Sequence, residues 1–581
     1  MKIKKYLDLS RFKGILNNDE LKSIKMLIPL VIISGFIEII SLMILPVVLK
    51  AFLSGEITHS DISFYDYLIS KIAEYKITSL SVLLCIFIIR TIYILFINFK
   101  INQFAFSIQA RLEREVFSAY LKENFALSQK ISYSDKLKNI TKEIQEFIVY
   151  SLMPYLQLIS EIIILLLVLS FMIFFYTYLT IAVLLLMGLF GLLVNKVINK
   201  KVNEEGKNRQ IYESLRYSNL QQAFGGLREI KLYSLEEKFL DSYRSVIDSY
   251  TKSYSKIFFF VQSPRVLLDL LLVILLVILL VAILSTNESL ENSFISIAVF
   301  GFFAMRVLPS VNKILVSIQN IDYSYPTIKV LKAILPESDA LIDEFNNAQY
   351  SEPNDHSHTS RSKLIIEDIS YVFEDKSLLF ADISGSISSG EILLVDGPSG
   401  SGKSTFADIL SGLLEPTSGA FYLTSTNKNS SFLSPLIKLD RIRLTSYVSQ
   451  NTFIFDGTLG QNISLKFDPP SSDSELIIDD LVARVGLTDS FGNILAASTR
   501  LGVNGIELSG GQRRRLGIAR ALFKNTNIIL LDEVTAGLDN KAELEIIKLI
   551  NSLKLLNIIV IIFTHSDEMK SICDNKISLL K

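Results

Sequence analysis

The sequence predicts a multidomain protein: an all-α transmembrane domain of six helices at residues 1–335, a linker at 336–363, and an α/β unit with a largely parallel sheet at 364–581. Three observations point there. The 581-residue chain is too long for one compact domain, and its composition changes near residue 336. Half of its residues are hydrophobic, while the 20% that are charged crowd between apolar runs. Beyond Lys363, short β-rich runs (EILLVDG, NIILLDE, NIIVIIFTH) alternate with helical stretches.

Six apolar stretches are long enough to cross a hydrocarbon core, which takes roughly 20 residues as a helix. They run from about Met26 to Leu49, Leu80 to Phe99, Phe147 to Phe171, Leu179 to Val197, Ile257 to Leu284 and Ile295 to Leu315. Basic residues fix the orientation: Lys2, Lys4, Lys5, Lys22 and Lys25 precede span one, and others crowd the long loops after spans two and four. The opposite loops are uncharged (FFYTY) or acidic (STNESLENS), so both termini and both long loops are expected in the cytosol. No short apolar core with a cleavage site follows the basic N-terminus, which reads as an interfacial lead-in to span one.

No Pro or Gly cluster interrupts Lys100 to Ser128, so the membrane helices are expected to continue well into the cytosol. The second long loop breaks at Gly225-Gly226 before a short amphipathic piece ending at Tyr233. On the other face, Ile62 to Tyr75 reads as a surface-lying amphipathic helix, with Phe64, Tyr65, Leu68, Ile69, Ile72 and Tyr75 on one arc. The linker is polar, and its His356 and His358, with no Cys or further His beside them, read as solvated side chains and not as metal ligands. Cys85 and Cys573 read as free thiols, and a net charge of -1 offers no basic surface for nucleic acid.

The chemistry is concentrated in the second part. Gly397-Pro398-Ser399-Gly400-Ser401-Gly402-Lys403-Ser404-Thr405 follows a strand and opens a helix, the context of a P-loop. Its glycines let backbone N–H groups turn toward phosphates, Lys403 neutralises the β and γ phosphates, and Ser404 offers a hydroxyl to Mg²⁺. The apolar strand before Asp532-Glu533 delivers Asp532 to the Mg²⁺ shell and Glu533 to a water attacking the γ-phosphate of ATP. Ser509, Gly510, Gly511 and Gln512 open another helix and form a second anion cradle.

That last run, LSGGQR, resembles the signature of ABC ATPases, and with the P-loop it makes the chain similar to a half-size ABC exporter. The resemblance implies that the signature of one copy closes over the P-loop of a second, giving a homodimer with two ATP sites. It further implies that Gln450 is a Mg²⁺ and water contact that senses the membrane domain. Ala536-Gly537-Leu538-Asp539 then corresponds to the D-loop, and His565 to the switch histidine on the γ-phosphate. Register favours Phe373 for stacking on adenine, with Tyr371 as the alternative. Two departures stand out: Val503-Asn504 where the family has Glu between Gly502 and Gly505, and Ala536 where Ser is usual. The Gly225-Gly226 region resembles the coupling helix that rests on the nucleotide-binding domain.

Cargo must be read from the charges inside the spans: Glu38, Arg90, Glu161, Arg265, Asp269 and Arg306. Each costs about 2.5 to 3.5 kcal/mol at mid-span unless it is paired or faces a water-filled cavity. Lys313 shares a face of span six with Arg306, two helical turns away. Arg90, Arg265, Arg306 and Lys313 either line a path for an anionic cargo or pair internally with Glu38, Glu161 and Asp269. The external helix, these positions and FFAMRVLPSVNKIL resemble the lipid-linked oligosaccharide flippases of bacterial protein N-glycosylation. That resemblance implies a cytoplasmic-membrane protein whose cationic belt receives a pyrophosphate. Export of a peptide, drug or other lipid, and a non-transporting ATPase that regulates a membrane partner, are the alternatives.

Overall fold

Long apolar runs of helix-forming residues satisfy their own backbone hydrogen bonds, and six long helices result among the described residues of the first part. They are α1 (Asn18–Leu53), α2 (Lys76–Lys122), α3 (Met153–Phe175), α4 (Thr177–Gly225), α5 (Glu236–Ser285) and α6 (Leu290–Tyr323). The structure is a computed structural model. It describes residues 6, 8–53, 76–123, 125–128, 131–175, 177–285, 290–335, 362–373, 375–425, 435–466, 468, 472–488, 492–502 and 508–579. The helix expected at 62–75, both linker histidines and Val503-Asn504 lie outside these residues. Contacts divide the chain into two units, Met1–Glu123 with Ser128–Asn346, and Asn124–Leu127 with Asn347–Lys581.

In the first unit, α2, α4 and α5 have 47, 49 and 50 residues. At 1.5 Å per residue each is about 70 Å long, more than twice a hydrocarbon core, so the expected extensions exist. Four described stretches are long and apolar enough to span: Asn18–Ser41, Leu80–Lys122, Tyr133–Ser170 and Glu236–Ile278. The break at Gly225-Gly226 is present and leads into a short helix, Leu227–Leu232. A second break was not legible: α2 stops at Lys122, and Phe125–Ser128 forms its own short helix. The N-terminus also differs from a surface lead-in. Phe12, Ile15 and Leu16 are buried beside Ile108, Leu112, Phe147 and Tyr155, because their spacing puts three apolar side chains on one side of a tight turn.

Two π-helical segments, Asn139–Glu143 and Ile148–Leu152, precede α3, and around them lies a buried polar network the sequence did not reveal. Arg209 of α4 is fully buried and meets Glu213 at 2.8 Å and Glu146 at 3.2 Å. Its guanidinium lies over the Tyr323 ring of α6, 5.1 Å from the centroid. Gly206 lets α4 come this close, since a Cβ there would fall 2.9 Å from the Tyr323 carbonyl oxygen.

The second unit contains eight described strands: β1 (Ser362–Val372), β2 (Leu378–Ser388), β3 (Ile392–Asp396), β4 (Ser418–Ser425), β5 (Thr445–Val448), β6 (Ile528–Asp532), β7 (Ile559–Phe563) and β8 (Asn575–Ser578). Ser362 and Lys363, read from sequence as the end of the linker, open β1. A three-stranded antiparallel sheet is ordered β2-β1-β4, and a five-stranded parallel sheet β5-β6-β7-β3-β8. Every residue of β6 and β7 is buried. Alternate side chains feed two cores, Ile529, Leu531, Val560 and Ile562 on one face and Leu530, Ile561 and Phe563 on the other.

Replacing Arg209 with Leu would remove the buried partner that Glu146 and Glu213 share, leaving Lys142 3.5 Å from Glu146 and Arg216 3.6 Å from Glu213. Breaking one side of such a cluster costs about 3–5 kcal/mol. The purified protein in detergent should therefore lose thermal stability in its membrane unit. An unchanged unfolding midpoint would show that the network contributes nothing.

Candidate active site

Strand order brings the chemistry together. Because β6, β7 and β3 are adjacent and parallel, their carboxyl ends share one edge of the sheet, where ligands of open α/β sheets bind. The P-loop follows β3, Asp532 ends β6, and His565 lies just beyond β7. In the loop, Gly400 and Gly402 have φ of 82° and 93°, which glycine adopts without strain. A Cβ on Gly402 would also fall 2.8 Å from Leu379, and one on Gly397 2.5 Å from Ser401 Oγ.

Gly402 caps α7 (Lys403–Leu410), whose first N–H groups have no intrahelical acceptor and suit a phosphate. Ser399 and Ser404 are exposed beside them and Thr405 partly so. Lys403 is buried; its Nζ donates to the Gly397 carbonyl at 2.7 Å and lies 2.8 Å from His565 Nε2. Glu533 has a left-handed backbone, φ 46°, fixed by its N–H donating to the Phe563 carbonyl at 2.9 Å. Such a conformation costs of order 1–3 kcal/mol and occurs where a side chain must be aimed. Here it brings Glu533 Oε1 within 3.9 Å of His565 Nε2, while Gln450 Nε2 donates to Glu533 Oε2 at 2.7 Å. Gln450, expected at Mg²⁺, thus holds Glu533 in this structure.

Asp532 accepts a 2.8 Å hydrogen bond from Tyr447 Oη, a contact sequence reasoning missed. Burial raises the Asp532 carboxyl above its ordinary range; the Tyr447 bond opposes this and the charge of Glu533 adds to it. The donor set suits Mg²⁺, a hard cation held by few protein oxygens together with phosphate: a serine hydroxyl at Ser404 and one carboxylate, Asp532. Phe373 is 44% exposed, whereas Tyr371 packs against the core under β2, which leaves Phe373 the better placed to stack on a base.

Ser509 caps α8 (Gly510–Phe523): Gln512 N donates to Ser509 Oγ at 3.2 Å, and Ser509 N to Gln512 Oε1 at 2.7 Å. Gly510 and Gly511 make the first turn at the exposed tip. Asp539 caps α9 (Asn540–Leu553), accepting from Ala542 N at 2.7 Å. Among the described residues, Ser509 and Asp539 bond at their own helix ends, Gln512 bonds to Ser509 and through Nε2 to the Thr488 carbonyl at 2.5 Å, and none of the three bonds to the P-loop. Ala536 keeps its backbone role, its carbonyl accepting from Arg514.

Comparison with known proteins agrees with this geometry. Residues 380–536 match the ABC transporter family, and residues 26–307 match the ABC transporter transmembrane region. The chain belongs to the ABC transporter family. Its membrane domain and ABC cassette are fused in one chain, as in a half-size exporter, and it is an integral membrane protein. It is 34% identical over 200 residues to an ATP-dependent lipid A-core flippase of Ralstonia nicotianae, covering 34% of this chain and 33% of that one. A protein of the same name from Francisella tularensis subsp. holarctica is 27% identical over 365 residues, covering 62% and 57%. The chain thus spans a third to under two thirds of these relatives' lengths. The solved structure of a bacterial Atm1-family ABC exporter with ATP bound shares the fold at a TM-score of 0.70 and 15% identity, covering 99% of this chain and 94% of that one.

In the transporter's membrane domain, three of the four singled-out cations are ion-paired. Glu38 of α1 meets Arg90 of α2 at 2.5 Å and Arg306 of α6 at 2.6 Å. Glu161 of α3 meets Lys313 at 2.7 Å and Arg306 at 3.4 Å, and accepts from Ser310 Oγ at 2.7 Å. Two buried carboxylates hold three cations, so one positive charge is uncompensated within the cluster. Arg265 and Asp269 stand exposed on α5, outside it; among the described residues Asp269, expected among the counter-ions, pairs with none of the four cations.

In the cassette, burial, with the charge of Asp532 adding, pushes the Asp408 carboxyl on α7 up to about 6. The folded state therefore keeps a proton that an unfolded Asp releases near ~3.9. The resulting stabilisation is full below about pH 4 and is lost as pH rises through about 6. Asp408→Asn should raise the unfolding midpoint of the nucleotide-free protein at neutral pH, with the gain narrowing as pH falls. An equal or lower midpoint at neutral pH would contradict the burial argument.

Proposed function

We propose that two copies of the chain form an ATP-driven flippase that moves a polyprenyl-pyrophosphate-linked oligosaccharide across a bacterial cytoplasmic membrane, with both termini and both cassettes in the cytosol. The observation that carries the cargo class is the charge cluster on α1, α2, α3 and α6, which has cationic excess inside membrane-crossing helices. Relatives named lipid A-core flippases support a lipid-attached cargo.

The cassette's residues supply the fuel step. Phe373 stacks on the adenine, and the α7 N–H groups and Lys403 hold the β and γ phosphates. Ser404 and Asp532 are the side chains that hold Mg²⁺, which when bound supplies positive charge across the phosphate oxygens. Glu533, steadied by Gln450, accepts a proton from water as the water oxygen bonds to the γ-phosphorus. The bond from that phosphorus to the β–γ bridging oxygen breaks, leaving ADP and phosphate. His565, already against Lys403, takes the γ-phosphate side. The tip of α8, with Ser509, serves the nucleotide of the second copy, and Asp539 and Ala536 adjoin that junction.

In the membrane, a pyrophosphate replaces Glu38 and Glu161 as the partner of Arg90, Arg306 and Lys313, with Arg265 as the fourth cation. The exchange keeps the cations paired, while Glu38 and Glu161, released from them, take up protons or meet water that enters with the cargo. Lys313 supplies charge without the bidentate fork of an arginine.

The test is reconstitution in vesicles carrying a fluorescent polyprenyl-pyrophosphate glycan on both leaflets. Alanine at Arg90, Arg265 and Arg306 together should abolish ATP-dependent loss of the lipid from one leaflet while basal hydrolysis continues. Undiminished flipping by that variant would refute the cationic path, and stimulation by an unrelated lipid or drug alone would redirect the cargo.

A further inference from the structure

We propose that Tyr447 is a positioning residue for Mg²⁺, holding the Asp532 carboxylate in the plane that presents one oxygen to the metal. The proposal rests on the reading of Asp532 as a Mg²⁺ ligand. β5 and β6 run parallel with Tyr447 opposite Leu530. Side chains alternate along a strand, so Tyr447 shares a face with Leu530 and, two residues on, with Asp532. The ring packs against the core formed by Leu530, Phe406 and Phe563, which fixes its direction. Its hydroxyl is then 2.8 Å from Asp532 Oδ2, its one hydrogen bond among the described residues.

Asp532 needs such a support. It stands at the end of a buried strand, repelled by Glu533 next in sequence, attracted by Lys403, and near enough to Asp408 of α7 for its charge to push that carboxyl up. The terminal torsion of an aspartate is soft. These point charges alone would leave the plane of the carboxylate undetermined. A neutral phenol donating to Oδ2 sets that plane without adding a charge that would compete with the metal, and leaves Oδ1 available. Partners of this kind, one step out from a metal, orient the ligand and tune its affinity.

Tyr447→Phe keeps the packed ring and removes only the hydroxyl. The full-length protein in detergent is first titrated with a fluorescent ATP analogue in metal-free buffer, and Mg²⁺ is then titrated into the complex. Metal-free nucleotide affinity should stay within about twofold of wild type, while half-saturating Mg²⁺ rises roughly tenfold or more. In an Asp532→Asn background the same change should add nothing, because the oriented carboxylate is already gone. Three results would overturn the proposal: an unchanged Mg²⁺ midpoint, a parallel loss of metal-free nucleotide binding, or full additivity in the double variant. If Asp532→Asn itself leaves the Mg²⁺ midpoint unmoved, the assignment of Asp532 to the metal fails first.

Discussion

The pairing of β7 with β3 on one side and β6 on the other is the constraint on which the cassette depends. Ile559 to Phe563 are all buried, and each registers with a residue of one or both neighbours. A fully buried Ile or Phe contributes about 1.5–3 kcal/mol, so this strand is anchored by its own hydrophobicity. Slipping it by one residue would turn every side chain to the wrong core. With the register locked, the P-loop, the Asp532-Glu533 pair and His565 emerge side by side, and the short contacts among Lys403, His565, Glu533 and Gln450 follow. The strained backbone at Glu533 and the three-carboxylate neighbourhood of Asp532 are tolerated because the sheet beneath them cannot relax.

The membrane unit has a different logic. Charge inside an apolar span is costly, and here the cost is offset by gathering it: two carboxylates from α1 and α3 hold three cations from α2 and α6. Such a cluster has two properties at once. It is closed by its own ion pairs, and its excess positive charge is what the proposed anionic cargo is argued from. Elsewhere in the unit, Arg209 of α4 performs a similar gathering with Glu146, Glu213 and Tyr323, and Lys142 and Arg216 pair with the same two carboxylates.

Much of this was legible in the sequence because it depends on local pattern. Apolar length marked the long helices, and the glycine spacing at 397–402 with its flanking strand and helix marked the P-loop. Gly225-Gly226 marked the break it makes. What was not legible depends on pairing between distant segments. Gln450 and Glu533 are 83 residues apart, and their hydrogen bond comes from which strands neighbour one another. Tyr447 looked like an ordinary strand residue, since nothing short of the β5–β6 register places it against Asp532. The break after Lys122 lacks Gly or Pro, so no local signal announced it. Charges within spans were visible, but whether they pair internally or wait for a cargo required knowing that Glu38 and Glu161 face the same helix.

On the proposed function, hydrolysis at Glu533 drives lipid movement. The most direct measurement follows ATP consumption and loss of lipid-linked glycan from one leaflet in the same vesicles, comparing wild type with Glu533→Gln. General-base contributions are of order 10²–10⁴, so hydrolysis should fall by at least about a hundredfold and sustained flipping with it, while ATP still binds. Flipping that continues at the wild-type rate with hydrolysis abolished would show that lipid movement does not depend on Glu533.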